Sequence, residues 1–456
     1  MLILSLPYQN TGFIINHQKK HSSFFDLIEL RLDYRKILSD IDKKMVKENT
    51  ILTIRDIREG GIQKIPISEK IKYLQKMHQL TNCYIDIELR NYNNHAFNPK
   101  RLIVSYHSQK TKFDENEFES LINKIKQTKS RFIKFVLPIH TFATYFKICA
   151  KLKNLKRDYI LISSGRLNKL SRFLYKHSGS AGTYVGLDQY KTAKNQLTLS
   201  QALFYKLNTI KKTTKIGGLI GGSQIYNSFG LEFYNRYFYK NNLMARYLPF
   251  EIYNTRDFIE NFLKNPQIPT YGFSITMPYK IDFANYINCR QKPINFINFI
   301  DDRFQTANTD KIAFQNALRK FELSSREKIL LIGSGGSALT ALQELKRYKR
   351  VYLTSRNEYG KELAKQYNAE FLKLHKIKNL DFDLIINCTP IGMNGENLLD
   401  YFGLSKPKFL LDLPYNRQKK SSIKTLFDKN DYISGKLFWS WQARKQLTYF
   451  IRNISS

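Results

Sequence analysis

Lys134 stands in the middle of an apolar run, "RFIKFVLP". Desolvation disfavours the ammonium form, so a lysine in such a run can attack a carbonyl and form a Schiff base. Strand alternation equally allows it to point outward. His107 closes another run, "LIVSYH", where it could take a proton or only bond a neighbouring carbonyl. A third stretch, "KILLIGSGGSALTALQELKRYKRVYLTSRN" from Lys328 to Asn357, has the build of a phosphate-binding turn. Ile329 to Ile332 is of strand length, the glycines stop it, and Leu339, Leu342 and Leu345 begin a helical stripe. Gly333, Gly335 and Ala338, within the loop Gly333-Ser334-Gly335-Gly336-Ser337-Ala338, fit the dinucleotide-binding pattern, in which small residues allow the turn, the approach of a pyrophosphate and close helix packing. The helix N-terminus offers free N–H groups to the phosphates. The next strand ends on Ser355 and Arg356 where NAD-binding sites carry an acid, and a guanidinium suits the 2′-phosphate of NADP.

These residues need elements to hold them. The first half contains "LILSLP", "LIELRLD", "ILTIRD", "CYIDIEL", "LIVSYH", "FIKFVLP", "YILISS" and "AGTYVG", with amphipathic stretches at Ser68 to Leu80, Glu117 to Thr128 and Thr141 to Leu152 between several of them. Strand candidates alternating with helix candidates predict a closed (β/α)8 barrel, which carries its chemistry at the C-terminal ends of its strands. Arg31, Arg55, His107 and the Lys134 segment lie there. The polar "NTIKKTTK", Asn208 to Lys215, separates this half from a new strand, "IGGLIGG". An α/β unit then runs to about Thr309, a crossing helix spans Asp310 to Phe321, the nucleotide-binding unit begins near Glu327, and a last helix after Gly435 packs back across the domains.

A chain of 456 residues is too long for one ordinary core. The net charge of +36 raises a nucleic-acid partner, but the lysines are spread over the whole chain with no basic tail or RNA-binding signature, which favours an evenly solvated basic surface. Cys83, Cys149, Cys289 and Cys388 form no CxxC pair, so a reduced cytoplasm without disulfides or metal is expected. The start "MLILSLPYQN" reads as a strand rather than a signal peptide, and no apolar run reaches the roughly 20 residues a bilayer requires.

Taken in order, "ELRLD" with Glu29 and Arg31, "TIRDIREGG" with Arg55 and Glu59, "SYH" with His107, "KFVLP" with Lys134 and "LSR" with Arg172 resemble type I 3-dehydroquinate dehydratase over about Met1 to Tyr205. The resemblance implies that Lys134 forms an imine with the substrate ketone and that His107 moves the proton, oriented by Glu59. Glu29, Arg31, Arg55 and Arg172 would hold the substrate. Ser108 and Gln109 follow the histidine where the family has aspartate and phenylalanine. The closing loop reads Thr192-Ala193-Lys194-Asn195-Gln196, keeping the hydroxyl of Thr192 and the amide of Gln196 as further substrate contacts.

In the second half, "YGFSITMPYK" with Thr276 and Lys280, "TANTD" with Asn308 and Asp310, the glycine loop, "NCTPIGM" with Asn387 and Thr389, "DLPYN" with Tyr415 and "GKLFWSWQA" with Gly435 and Gln442 resemble shikimate dehydrogenase over Ile216 to Ile451. Lys280 and Asp310 would be the catalytic pair. Ser223, Thr276, Asn298, Asn308, Tyr415 and Gln442 would bind the substrate. Gly333 to Ala338, Ser355, Arg356, Asn387, Thr389 and Gly435 would hold NADP(H). Of the family's two carboxylate-binding serines, one residue apart, "GGSQIYN" keeps Ser223 and has Ile225 in the second place.

The expected fold is therefore an N-terminal TIM barrel at 1–207, a substrate-binding domain at 215–322, a Rossmann NADP-binding domain at 323–434 and a helix at 435–456 packing back on the substrate domain. The expected function is dehydration of 3-dehydroquinate to 3-dehydroshikimate followed by NADPH-dependent reduction to shikimate. The partners are small-molecule substrates, with no nucleic acid or membrane, and the oligomeric state is not legible. The rivals are a chain with only the dehydratase active and a basic nucleic-acid-binding protein.

Overall fold

The computed structural model describes residues 1–35, 38, 45–93, 97–415 and 422–455. The chain separates into two compact units, Met1–Thr214 and Lys215–Ser456, divided inside the polar stretch after the eighth strand segment.

In the first unit β1 (Leu2–Pro7), β2 (Leu27–Arg31), β3 (Thr50–Thr53), β4 (Tyr84–Glu88), β5 (Leu102–His107), β6 (Phe132–Leu137), β7 (Asp158–Ser163) and β8 (Thr183–Gly186) each fall within one of the apolar runs or extend it by a residue. They pair in parallel from β7 round to β1, and β1 also pairs with β8, beside which lies the two-residue β9 (Leu197–Thr198). At the seam between β7 and β8, backbone N–H of Ala181 donates to Tyr159 C=O at 2.6 Å and Leu161 N–H to Ser180 Oγ at 3.2 Å, in place of a regular ladder. Ile3, Ile51, Ile103, Phe132, Ile160 and Tyr184 fill one core cluster of this sheet. The helices Ile67–Thr81, Glu115–Lys126 and Phe142–Lys153 occupy the amphipathic stretches. Asp114 and Thr141 start the latter two by accepting the N–H groups of Glu117 and Thr144, as capping residues with short polar side chains do.

The second unit holds two sheets. One is ordered β11 (Ala245–Glu251), β10 (Lys215–Gly221), β12 (Thr270–Ile275), β13 (Phe296–Ile300), β14 (Arg303–Ala307), the last two joined antiparallel. The other is wholly parallel: β17 (Glu370–Phe371), β16 (Arg350–Thr354), β15 (Lys328–Ile332), β18 (Leu384–Asn387), β19 (Phe409–Asp412), β20 (Tyr432–Ser434). Numbered within itself the parallel sheet runs 3-2-1-4-5-6, the doubly wound dinucleotide-binding order, with the glycine loop at the switch point after its first strand. The final helix, Gly435–Ser455, places Ala443 and Phe450 in the core of the first sheet and Phe438 against Phe314 in that of the second. No helix among the described residues is long and apolar enough to cross a membrane.

Candidate active sites

In the barrel, parallel register sets Lys134 opposite Ser105, and His107 lies two residues further along the same strand, on the same face. Lys134 is buried, but its setting is charged rather than apolar, which corrects the reading of an isolated lysine in a greasy run. Its Nζ lies 2.9 Å from Asp86 Oδ2, 3.8 Å from Glu29 Oε1 and 4.0 Å from the centre of the Tyr184 ring. Asp86 in turn accepts from Arg55 Nη2 at 2.9 Å and from Ser105 Oγ at 2.6 Å. Burial opposes ionisation of Asp86, yet Arg55 and Lys134 hold its carboxyl well below the usual carboxylate range.

His107 is held by Glu59, whose Oε2 accepts the His107 backbone N–H at 2.9 Å and lies 3.3 Å from Nδ1. Burial, reinforced by the charges of Arg55 and Lys134, keeps the imidazole neutral well below its ordinary range. Arg31 makes a two-pronged pair with Asp33, both bonds at 2.8 Å, and reaches Thr192 C=O at 3.2 Å. Glu29 accepts from Thr53 Oγ1 at 2.8 Å and from Ser5 Oγ. Ser5 Oγ also lies 2.7 Å from Thr192 Oγ1, and Gln196 Oε1 takes Thr192 N–H and Oγ1–H, each at 3.2 Å. The closing loop thus docks on the first two strands. Arg172 is buried and donates to Tyr184 C=O at 2.9 Å and Asn168 Oδ1 at 3.4 Å. Burial draws its guanidinium down to about 10, and both partners are neutral. A cation in that position is prepared for an incoming anion.

Sequence reasoning did not single out Ser5 or Asp86. Asp86 was visible as an acid inside "CYIDIEL", a charge that a barrel strand keeps inside only when it is paired.

In the second unit Lys280 opens the helix Lys280–Tyr286 and Asp310 opens Asp310–Lys320. Lys280 Nζ donates to Asp310 Oδ2 and, at 3.3 Å, to Ser337 Oγ of the glycine loop. That contact brings the polar pair to the mouth of the doubly wound sheet. Asn308 Oδ1 accepts Asp310 N–H at 3.2 Å and its Nδ2 donates to Thr340 at 2.9 Å; Gln442 Oε1 accepts from Thr309 Oγ1 at 2.9 Å. Thr276 follows directly on β12, half-buried, and Tyr415 stacks on Phe229 with centroids 5.0 Å apart. Asn416, the last residue of "DLPYN", lies outside the described residues.

Asn298 is not brought to this site. It lies in β13 and is fully buried; Thr270 donates to its Oδ1 at 3.3 Å, and among the described residues its Nδ2 has no partner. Asn295, three residues earlier, is the asparagine that lies against Asp310: Nδ2 donates to Asp310 Oδ1 at 2.9 Å and Oδ1 accepts Thr309 N–H at 2.8 Å. The two asparagines sit in one short segment, "NFIN", and only the strand's start decides which of them reaches the helix at Asp310. Ile225 is buried in the core of the first sheet, while Ser223 is exposed on the turn before the helix Phe229–Lys240. Ser228 caps that helix by accepting Gly230 N–H, immediately before the ring that stacks on Tyr415.

Gly333 adopts φ +115°, which favours glycine, while Gly335 has open space above it: a Cβ there would meet no atom within 4 Å. Ser334 donates to Asn357 Oδ1 at 2.7 Å, Ser355 to Asn357 C=O at 2.9 Å, and Ala338 is packed in the core. Arg356 is exposed, with no ion-pair partner among the described residues. Asn387 donates to Asp412 at 2.7 Å and accepts Thr389 Oγ1–H at 2.7 Å, so these two shape their loop. Gly435 is required by packing, since a Cβ would fall 2.0 Å from Leu413 C=O. The open cradle at a helix N-terminus beside a free cation fits a phosphorylated dinucleotide. Among the described residues no cluster of three or more His, Cys, Asp or Glu could hold a metal ion.

Fold and sites define a lysine-based barrel joined to a dinucleotide-type oxidoreductase unit. The family model for type I 3-dehydroquinase matches residues 3–210. The NADP(+) shikimate dehydrogenase of Clostridium botulinum is 32% identical over 234 residues, 47% of this chain and 88% of that protein. The bifunctional chloroplastic 3-dehydroquinate dehydratase/shikimate dehydrogenase of Arabidopsis thaliana is 25% identical over 424 residues, 83% of this chain and 69% of that one. The solved dehydroquinate dehydratase and shikimate dehydrogenase from S. pombe AroM, 19% identical, aligns with 100% of this chain and 97% of its own at a TM-score of 0.38. The chain belongs to the shikimate dehydrogenase family and carries a type I 3-dehydroquinase domain ahead of it.

Proposed function

We propose that the chain is a bifunctional enzyme of the shikimate pathway, dehydrating 3-dehydroquinate to 3-dehydroshikimate in the barrel and reducing that product to shikimate with NADPH in the second unit. The observation that carries the reading is that each unit assembles its own lysine site from residues far apart in sequence: Lys134 with Asp86, Glu29 and the His107–Glu59 pair, and Lys280 with Asp310 and Ser337.

In the barrel Lys134 hands its ammonium proton to neutral His107 and attacks the ketone; His107 returns that proton to the carbinolamine hydroxyl, which leaves as water as the iminium forms. The iminium acidifies the adjacent C–H, neutral His107 takes that proton, and its imidazolium returns it to the departing hydroxyl, which leaves as water. Hydrolysis of the imine frees Lys134. Arg172 grips the carboxylate. Arg31, Arg55, Glu29, Ser5, Thr192 and Gln196 order the hydroxyls, and Glu59 fixes the imidazole.

In the second unit NADPH, when bound, supplies the hydride. Residues Gly333 to Ala338 would receive its pyrophosphate, Ser355 and Arg356 its 2′-phosphate, and Asn387, Thr389 and Gly435 would frame its other end. Lys280, held by Asp310, delivers the proton to the nascent alkoxide, and Asn295 fixes Asp310. Asn308, Thr276, Tyr415 and Gln442 shape the pocket. Ser228, which starts the helix Phe229–Lys240 directly before the ring that stacks on Tyr415, supplies a hydroxyl where Ile225 does not. The boundaries 1–207, 215–322, 323–434 and 435–456 and a reduced cytoplasmic setting belong to the same reading. Its ligands are small molecules.

The test is to give the purified chain dehydroquinate alone and then with NADPH. Dehydroshikimate should accumulate in the first case, and shikimate should form with equimolar NADPH loss in the second. Failure of either product to appear overturns the corresponding half.

A further inference from the structure

Behind Arg55 the barrel wall holds an ion pair that the mechanism above leaves unused. Lys70, on the helix Ile67–Thr81, is 2% exposed, and Glu88, at the end of β4, is 0% exposed. Lys70 Nζ donates to Glu88 Oε2, which also accepts Asn91 Nδ2 at 3.0 Å; Glu88 Oε1 accepts Asp56 N–H at 2.8 Å and Arg55 Nη1 at 3.3 Å. Arg55 is thus shared between two carboxylates, Asp86 at 2.9 Å towards Lys134 and Glu88 on the outer side. The other charges that face Glu88 are Glu59 and Arg58 from the following turn. Burying a lysine is costly unless a specific acid needs it. We propose that Lys70 is a positioning residue of the dehydratase: by neutralising Glu88 from behind, it keeps Arg55 from being drawn wholly onto that carboxylate, so that the guanidinium stays aligned with Asp86 and free to meet substrate.

The inference rests on the dehydratase reading and on Arg55 as a substrate contact. Burial opposes ionisation of Glu88, and Arg55 and Lys70 together hold its carboxyl below the usual range. Without Lys70 that carboxyl loses part of its support and titrates at higher pH. Ionised, it competes for Arg55; protonated, it releases it. Lys70→Met should therefore raise the KM for dehydroquinate about tenfold or more at neutral pH, the order expected for misaligning one charge-assisted contact. That KM should fall back as pH is lowered towards 5, whereas the wild-type KM shows no such slope. In Lys70→Met/Glu88→Gln both buried charges are gone, and KM should return to within about threefold of wild type with the slope abolished.

The experiment is steady-state dehydratase kinetics of the full chain from pH 5 to 8 for wild type and both variants. Inactive wild type would defeat the dehydratase reading itself. Active wild type with a Lys70→Met KM that is unchanged, or raised but flat with pH, overturns the positioning role, as does a double variant no better than the single. Should Lys70→Met fail to fold, the double variant decides: KM within threefold supports the role, and KM raised more than tenfold overturns it.

Discussion

Asn295 and Asn298 separate what a residue type offers from what its position allows. Asn295 satisfies Asp310 and Thr309, so Asn295→Ala leaves a buried carboxylate short of a donor and should lower kcat/KM for dehydroshikimate reduction about 10- to 100-fold. Asn298→Leu, remote from that pair, should leave the same constant within about twofold. Steady-state rates on the two variants check this, and the reverse ranking would return Asn298 to the site. His107 carries a pH prediction. A lowered folded pKa keeps the base neutral as pH falls, so the acid limb of dehydratase kcat/KM should lie well below the ordinary imidazole range, with little loss from pH 7 to 6. The same shift costs stability on acidification, because the unfolded chain takes up that proton near pH 6.5 and the folded one only lower. A pH–rate profile with a midpoint near 6.5 would contradict the assignment. Arg356, exposed and unpaired among the described residues, should set cofactor preference: Arg356→Ala should weaken NADPH by roughly ten- to a hundredfold and leave NADH nearly unchanged, read by KM for each. Equal weakening of both would make it a fold or pyrophosphate residue.

At the scale of elements two glycines of the nucleotide half make opposite demands. Gly335→Ala places a methyl in open space, so the melting temperature should move by no more than about 2 °C while NADPH affinity falls at least about tenfold. Gly435→Ala drives a Cβ into Leu413 C=O at 2.0 Å and should cost about 2–3 kcal/mol of stability in calorimetry before any effect on binding is considered. Strand and helix positions were legible in the sequence wherever period and length agreed, as in "LIVSYH" and Thr141 to Leu152. The charged lining of the barrel was less legible. Asp86 and Glu88 alternate with isoleucine along β4, and alternation does not say which face closes inward until the neighbouring strands are paired. Asn298 was misplaced for a related reason: antiparallel register in β13 is set by pairing with β14, which the local run does not encode.

For the molecule as a whole, the two lysine sites belong to different compact units. Lys134→Ala should abolish borohydride trapping with dehydroquinate and dehydratase turnover, yet reduce supplied dehydroshikimate at the wild-type rate. Lys280→Ala should slow that reduction about 10²- to 10⁴-fold and leave the chain converting dehydroquinate to accumulating dehydroshikimate. Loss of both activities in either variant would mean that the sites are coupled. The barrel is drawn from one uninterrupted stretch, Met1–Thr214, whereas the first sheet of the second unit takes Gln446 to Ser274 at 2.6 Å, Asn453 to Tyr271 C=O at 3.0 Å and the ring of Phe450 from the last helix. During synthesis, at about 5–20 residues per second, the dehydratase has all its parts while the remainder is still being translated, and the reductase pocket waits for the final turns. A ribosome stalled short of that helix would release a chain that makes the intermediate and cannot consume it.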